Sequence, residues 1–367
     1  MRAINLLGEA MKITKVSAYL IEDAVPHQFV WRQGLPGSGT THRTTWLRLT
    51  TDEDIEGWSP IPRGALALDL ISTRIRDAVI GKNPLQKELL WHEIWEIDRI
   101  EEFPMYALGA VDVALWDITA KAAGLPLHQL IGGYRDKIPA YASTVTFGST
   151  EEFRDVADQC IDYGFHAIKL HAWGDARRDA KLCQDLRTHV GPDVALMYDG
   201  SAGFNPYEAL YVGRALEEAG YYWYEEPMRE FSIGAYRRLC EDLDIPVLSA
   251  ETSDGAHYTV ADFILHGAAD MVRTSVHYKG GITGAIRVAH LADSFQMTAE
   301  VHGGGPANLA ICLAIRNNSY YESLVTSNPI DVEPGIDRDG FIHASKLPGV
   351  GFKVDASELE RRAVAKL

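Results

Sequence analysis

The sequence predicts an α/β protein built chiefly on a (β/α)-barrel, and three observations predict it. From about Tyr134 the chain alternates short β-branched or aromatic runs with stretches of helical period. Eight strand-like runs follow one another at intervals of roughly 26 residues, which suits a βα unit repeated round a barrel better than an open sheet. Polar residues end most of these runs, where barrels of this kind carry their chemistry.

Before the barrel the chain reads as strand, long loop, strand and then helices. Ile13–Ile21 and Thr44–Thr51 carry the β-branched and aromatic residues of strands. Between them Asp23–Thr41 spans 19 residues and includes Gly34, Gly37 and Gly39, with His27, Phe29, Trp31 and Arg32. A loop of that length inside a compact domain is usually functional or disordered, and it is read here as a lid that sets specificity. Helical patterns follow over Ala65–Ile80, Leu85–Glu101 and Tyr106–Ala123, the last stopped by Gly124 and Pro126.

The barrel strands are expected at Tyr141–Phe147, Ala167–His171, Val194–Asp199, Tyr221–Glu225, Val247–Glu251, Met271–Ser275, Met297–His302 and Tyr320–Leu324. Among the helices between them, Asn205-Pro206 opens one in the usual cap and first-turn arrangement. Residues 331–367 are turn-rich and are expected to leave the barrel and pack back on the N-terminal part. The chain therefore divides into 11–133, 134–330 and 331–367. Met1–Ala10 is set aside as an upstream extension before the strand that opens at Met11.

Composition narrows the function. The 367 residues allow about two domains, and the 46% apolar and 23% charged content is that of a globular chain. A net charge of −16 argues against a nucleic-acid backbone or an anionic membrane as the main partner, while leaving room for a small anion held by local cations or a metal. No apolar run approaches the roughly 20 residues of a membrane span, and no leader sequence is read. Cys160, Cys183, Cys240 and Cys312 form no CxxC pair and suit buried thiols in a reducing cytoplasm.

The strand ends gather a reactive set. Asp199, Glu225 and Glu251 end three consecutive strands and are spaced 26 residues apart each time. Three carboxylates at one height in a low-dielectric mouth repel strongly. A divalent cation resolves this, and an all-oxygen set with open positions suits Mg²⁺. Lys169 and His171 lie two apart on one strand and so share a face, beside that metal. His302 ends a strand on the far side of the barrel. Glu226, next to Glu225, is expected to point away from the site by strand alternation.

This ordered set resembles the enolase superfamily, mandelate racemase subgroup. It comprises Lys169-Leu170-His171, Asp199, Glu225-Glu226-Pro227, Ala250-Glu251, Gly280-Gly281-Ile282-Thr283, His302 and Glu322. The run Gly109–Gly124 with Pro126 and Leu130–Gly133 belongs to the same likeness, which covers nearly the whole chain from Met11. The resemblance implies a modified TIM barrel, (β/α)7β, with an α+β capping domain formed by both chain ends. It implies Mg²⁺ on Asp199, Glu225 and Glu251, and abstraction of the proton α to a carboxylate with an enediolate intermediate. It also implies that Lys169 contacts the substrate carboxylate, that His171 stands where a base lysine is usual, and that Glu322 hydrogen-bonds the substrate carboxylate.

Two departures from the subgroup bear on chemistry. Lys-x-His replaces the usual Lys-x-Lys, and an imidazole is more often neutral near pH 7 than an ammonium. Ser275 replaces the aspartate on which the catalytic histidine normally leans, and a hydroxyl does not stabilise imidazolium as a carboxylate does. Glu300, two residues before His302, either substitutes for that aspartate or contacts substrate. His27, Trp31 and Arg63 are candidate substrate contacts; His27 and Arg63 serve equally well as cap-packing residues.

The leading function is therefore Mg²⁺-dependent dehydration of a sugar acid to a 2-keto-3-deoxy acid, by a cytoplasmic homo-oligomer acting on a small carboxylate. The alternatives are a racemase, epimerase or cycloisomerase using the same enolate, and a catalytically silent sugar-acid-binding protein.

Overall fold

The computed structural model describes residues 10–62, 64–102 and 104–367. Two sheets organise it. The first is antiparallel and uses β1 (Ile13–Ala24), β2 (Thr41–Thr51) and β3 (Glu56–Pro62), with the chain's last strand added at the other edge. β3 falls outside the sequence expectation. Its two prolines argue against a central strand, and it lies at the sheet edge, where a missing donor is tolerated. β2 alternates half-buried and buried residues cleanly toward its end, as a strand with one well-covered face does.

The second sheet holds eight parallel strands: β4 (Lys137–Thr144), β5 (Ala167–His171), β6 (Ala195–Asp199), β7 (Tyr224–Glu225), β8 (Val247–Ser249), β9 (Met271–Thr274), β10 (Ala299–Val301) and β11 (Tyr321–Val325). Their order runs from β10 back to β4 and then to β11, so the sheet curls until its two outer strands meet. The strands are buried almost throughout, because helices cover the outside and side chains fill the inside. This is the modified TIM barrel with an α+β cap that the sequence predicts. β12 (Phe341–His343) pairs antiparallel with β4, and β13 (Ala365–Lys366) pairs with Tyr19 and Leu20 of β1, carrying the chain's end to the cap.

Among the described residues no main-chain ladder joins β10 to β11. One main-chain bond and two side chains tie β10 to the segment just before β11 instead. Ala299 N donates to Asn317 O at 2.7 Å, Val301 N to Asn318 Oδ1 at 2.9 Å, and Ser319 N to Glu300 Oε1 at 3.0 Å.

Helix Met105–Ala123 lies between the two units and is buried on nearly all sides, consistent with its apolar sequence. Two glycines set its approach. A Cβ on Gly109 would meet Val276 O at 2.5 Å, and one on Gly57 of β3 would collide with Ala114 O. Gly124 ends the helix in the left-handed region with φ 69°. The helix expected over Ala65–Ile80 is interrupted by a π-helical turn at Ile71–Ile75. No helix among the described residues is long and apolar enough to cross a membrane.

Candidate active site

The C-terminal ends of β5 to β11 surround a cavity of about 380 Å³. Its walls include His171, Asp199, Glu226, Glu251, His302 and Glu322 from the strand ends, with Trp31 and Leu35 from the loop between β1 and β2. That loop is packed down on the barrel mouth. Gln33 N donates to Trp173 O at 3.1 Å, Thr146 N to Val30 O at 3.1 Å, and Arg32 Nε to Ser201 O at 2.9 Å. The Trp31 indole lies 4.6 Å, centroid to centroid, from the His171 ring. Trp31 thus stands over the site, whereas His27 is exposed and does not line the cavity. Arg63 lies outside the described residues.

Beneath the cavity is a dense ionic layer. Lys169 is fully buried, and its ammonium contacts Glu225 Oε2 at 2.9 Å, Glu322 Oε1 at 3.0 Å and Asp199 Oδ2 at 3.5 Å. Its ammonium faces protein carboxylates beneath the cavity. Arg273 on β9, also fully buried, holds Glu225 Oε1 at 2.5 Å and Glu322 Oε2 at 3.2 Å. Burial lowers the pKa of each of these cations, but the carboxylates around them outweigh it and raise both well above their ordinary values.

Glu322 takes further hydrogen bonds from Gly303 N at 2.7 Å and Ser143 Oγ at 2.8 Å. Burial favours its neutral form, yet Lys169 and Arg273 prevail and hold it well below the usual carboxylate range. Glu322 also lines the cavity, where the family resemblance expects it to meet the substrate carboxylate.

The two histidines face the cavity from opposite sides. His171 Nδ1 is 2.7 Å from Thr144 O, an acceptor only, so Nδ1 carries a proton and Nε2 is the exchangeable nitrogen. Nε2 lies 2.9 Å from Asp199 Oδ2. Asp199 also accepts from Ser201 N at 2.7 Å. Burial opposes its charge, but His171 and Lys169 keep its carboxyl well below the ordinary value. His302 Nδ1 lies 3.1 Å from Glu251 Oε2 and 3.6 Å from Glu322 Oε2, and its ring packs on Tyr278. Burial pushes the His302 pKa down, and these two carboxylates more than reverse that, so it is raised.

Ser275 Oγ accepts from Tyr278 N at 3.1 Å and makes no hydrogen bond to His302 among the described residues. Glu300 gives none either. It shares the face of His302 but sits one layer deeper, fully buried, with its carboxylate on Ser319 N at the barrel seam. The support that the sequence sought from Asp-like neighbours on adjacent strands comes from Glu251 and Glu322.

The donor set fits a hard divalent cation. Oxygen or nitrogen atoms of Glu225, Glu251 and His302 lie within 4.8 Å of one another. Glu251 Oε2 and His302 Nδ1 are buried, yet neither makes a well-directed hydrogen bond with protein. Glu225 and Glu251 so converge as the spacing suggested, while Asp199 is turned toward Lys169 and His171.

Sequence reasoning missed Glu226 and Arg273. Glu226 lines the cavity because β7 ends at Glu225 and Glu226 has φ 36°, which breaks the strand alternation. Ser201, Ala202 and Ala250, at φ 45°, 53° and 68°, occupy the same left-handed region at neighbouring strand ends. Non-glycine residues held there store strain that surrounding structure must maintain, as functional sites often do. The signal for Arg273 was present: an arginine within the otherwise apolar run Met271–Thr274 demands buried acidic partners.

Two family models match the chain. Residues 18–132 match the mandelate racemase / muconate lactonizing enzyme N-terminal domain, and residues 152–358 match the enolase C-terminal domain-like family. Among solved structures, D-glucarate dehydratase from Agrobacterium tumefaciens complexed with magnesium is 32% identical, with a TM-score of 0.87, over 96% of this chain and 99% of that one. A D-galactonate dehydratase family member of Streptomyces bingchenggensis is 27% identical over 84% of this chain and 87% of that protein. The D-galactarolactone cycloisomerase of Agrobacterium fabrum is 26% identical over 88% of this chain and 85% of its own length. A cap and barrel matched end to end, with charged strand ends converging on one cavity, place this chain in the mandelate racemase / muconate lactonizing enzyme family of the enolase superfamily.

Proposed function

We propose that the protein is a Mg²⁺-dependent hydro-lyase that dehydrates a sugar acid to a 2-keto-3-deoxy acid. One observation carries this reading: two histidines oppose each other across a single cavity whose floor is a carboxylate cluster. Glu225 and Glu251 would hold Mg²⁺, which would supply the positive charge that makes an α-proton acidic enough to remove.

The chain's own residues do the rest. His171 Nε2 takes the α-proton, and the C–H electron pair becomes the C=C bond of the enediolate. Asp199 Oδ2, 2.9 Å away, stabilises the imidazolium that forms. On the opposite face His302 gives its proton to the β-hydroxyl as the C–O bond breaks, and water leaves. The resulting enol then tautomerises to the 2-keto acid. Glu251 and Glu322 favour the protonated imidazole that this acid role requires. Trp31, packed on His171, keeps bulk water from the enediolate. The likeness to a cycloisomerase favours a second reading, in which the same enolate is reprotonated or captured without loss of water.

The test is a sugar-acid panel with Mg²⁺ in D₂O, followed by NMR and by keto-acid detection. Dehydration is expected, with His302→Asn retaining α-deuterium exchange while losing dehydration and His171→Asn losing both. Exchange without dehydration in the unaltered protein selects the second reading. Binding with neither reaction leaves a silent binding protein.

A further inference from the structure

β11 grips the loop that follows His302 from both of its faces. Tyr321 and Glu322 are neighbours on that strand, so their side chains leave it on opposite sides. On the barrel side, Glu322 Oε2 accepts from Gly303 N at 2.7 Å. On the outer side, Tyr321 Oη accepts from Gly305 N at 2.6 Å, and its hydroxyl donates to Glu333 Oε1 at 2.6 Å. A tyrosine hydroxyl has one proton. Glu333 takes it, so a lone pair is left facing the Gly305 amide. Neither Tyr321 nor Glu333 lines the barrel-mouth cavity. Both line a second cavity, of about 280 Å³, between helix Pro306–Ala314 and the C-terminal segment.

The loop held in this way is Gly303-Gly304-Gly305, which has no side chains of its own to fix it. Space requires the middle glycine: a Cβ on Gly304 would lie 2.9 Å from Tyr321 Oη and 3.1 Å from Glu333 Oε2. His302 is anchored at its amide, which donates to Thr274 O at 2.8 Å, and at its carbonyl, which accepts from Asn308 Nδ2 at 2.9 Å. Asn308 rides on helix Pro306–Ala314, which starts directly after the gripped loop. Among the described residues no main-chain ladder joins β10 to β11, so beyond Val301 the Glu322 and Tyr321 bonds tie this loop to β11.

We propose that Tyr321, oriented by Glu333, is a positioning residue for His302. With Glu322 holding the triglycine loop from the barrel side and Tyr321 from the outer side, the reach of the His302 imidazole toward the departing β-hydroxyl is fixed. Through Glu333 the C-terminal segment contributes to the reaction without lining the cavity. This rests on the acid role proposed for His302.

The test compares the unaltered protein with Tyr321→Phe, Glu333→Leu, Glu333→Gln and Gly304→Ala, with Mg²⁺ present. A sugar-acid panel in D₂O reads α-deuterium exchange and dehydration separately. The histidine rings are read by NMR of protein labelled with ¹⁵N-histidine, with His302→Asn and His171→Asn assigning the signals. Tyr321→Phe is expected to lower kcat for dehydration about 10- to 100-fold, with KM and exchange changed by less than about threefold. It should also shift or broaden the His302 ring signal and leave that of His171 in place. Glu333→Leu is expected to act in the same way, whereas Glu333→Gln, whose carbonyl still accepts from the hydroxyl, keeps most of the activity. Gly304→Ala is expected to slow dehydration too. Adding Tyr321→Phe to it should cost less than the two losses multiplied, because the hydroxyl no longer meets the new methyl group. An unchanged kcat in Tyr321→Phe, equal losses of exchange and dehydration, or an unmoved His302 signal overturns the proposal. A disturbed His302 signal in Tyr321→Phe, where the unaltered protein neither exchanges nor dehydrates any acid, keeps the positioning and overturns the proposed chemistry instead.

Discussion

The buried acids at the barrel mouth and those where the cap meets the barrel differ in how their oxygens are used. At the cap, Asp117 receives Trp58 N at 3.0 Å, Val350 N at 2.8 Å and Lys121 Nζ at 2.7 Å. Asp112 receives Thr283 N at 2.8 Å and Thr283 Oγ1 at 2.6 Å. Both oxygens of each carboxylate have a protein donor. At the mouth, Glu251 Oε2 and His302 Nδ1 are buried and face each other at 3.1 Å, and no main-chain or neutral donor reaches that Glu251 oxygen. Burial alone does not separate a structural acid from a functional one. What separates them is an acceptor left over after the protein has supplied its donors.

The largest effect that tests this contrast lies at the mouth. Glu251→Gln is expected to lower Mg²⁺-dependent turnover by about three orders of magnitude, equivalent to several kcal/mol of lost charge stabilisation. It should also abolish the rise in melting temperature on adding Mg²⁺, with little change in the metal-free melting temperature. Glu225→Gln differs, because Glu225 holds both Lys169 and Arg273 in full burial. That variant is expected to lose about 3–5 kcal/mol of stability as well as activity. Equal melting curves for the two variants would erase the distinction between a ligand-facing and a protein-facing acid.

The cap gives the second effect. Asp117→Ala strands two buried amides that tie β3 to the C-terminal segment, and a loss of about 2–5 kcal/mol is expected in urea unfolding. Turnover per folded molecule should change far less than in Glu251→Gln. A selective loss of metal binding in Asp117→Ala would show that the two regions are not independent.

The smallest effect is a slope. Burial outweighs the Thr283 hydrogen bonds and raises the Asp112 carboxyl to about 7. The folded protein therefore holds a proton there that the unfolded chain releases near pH 4. The contribution of Asp112 to stability falls as pH rises from about 4 to about 7, by at most about 1.4 kcal/mol per unit, and is level above. Asp112→Asn is expected to flatten this part of the stability curve, and an unchanged slope would remove Asp112 as its source.

Much of the architecture was legible because barrel strands announce themselves twice, by an apolar run and by a polar terminus. Ala167–His171 is read to the residue, and the other barrel strands differ mainly at their ends. β3 was not legible because Pro60 and Pro62 weigh against a strand in any local reading. At the site, equal spacing brought Glu225 and Glu251 together, but spacing carries no information on side-chain depth. Glu300 and His302 share a face, yet one seals the seam and the other meets the cavity. Glu226 defeated alternation through a single backbone angle. Asn317, through its carbonyl, and Asn318, through its side chain, hold the seam.

That seam has an evolutionary consequence. Strands joined by a ladder keep a fixed spacing, since every residue pair repeats the same bonds. β10 and the segment before β11 are joined by one main-chain bond and the side chains of Glu300 and Asn318 instead, and His302 follows β10 while Glu322 lies on β11. The distance between those two groups is thus encoded in a handful of codons and is open to adjustment by point substitution at positions 300 and 318. A barrel with one such joint can drift between reaction outcomes on its His302 side while the laddered strands bearing His171 and the acidic ligands stay in register.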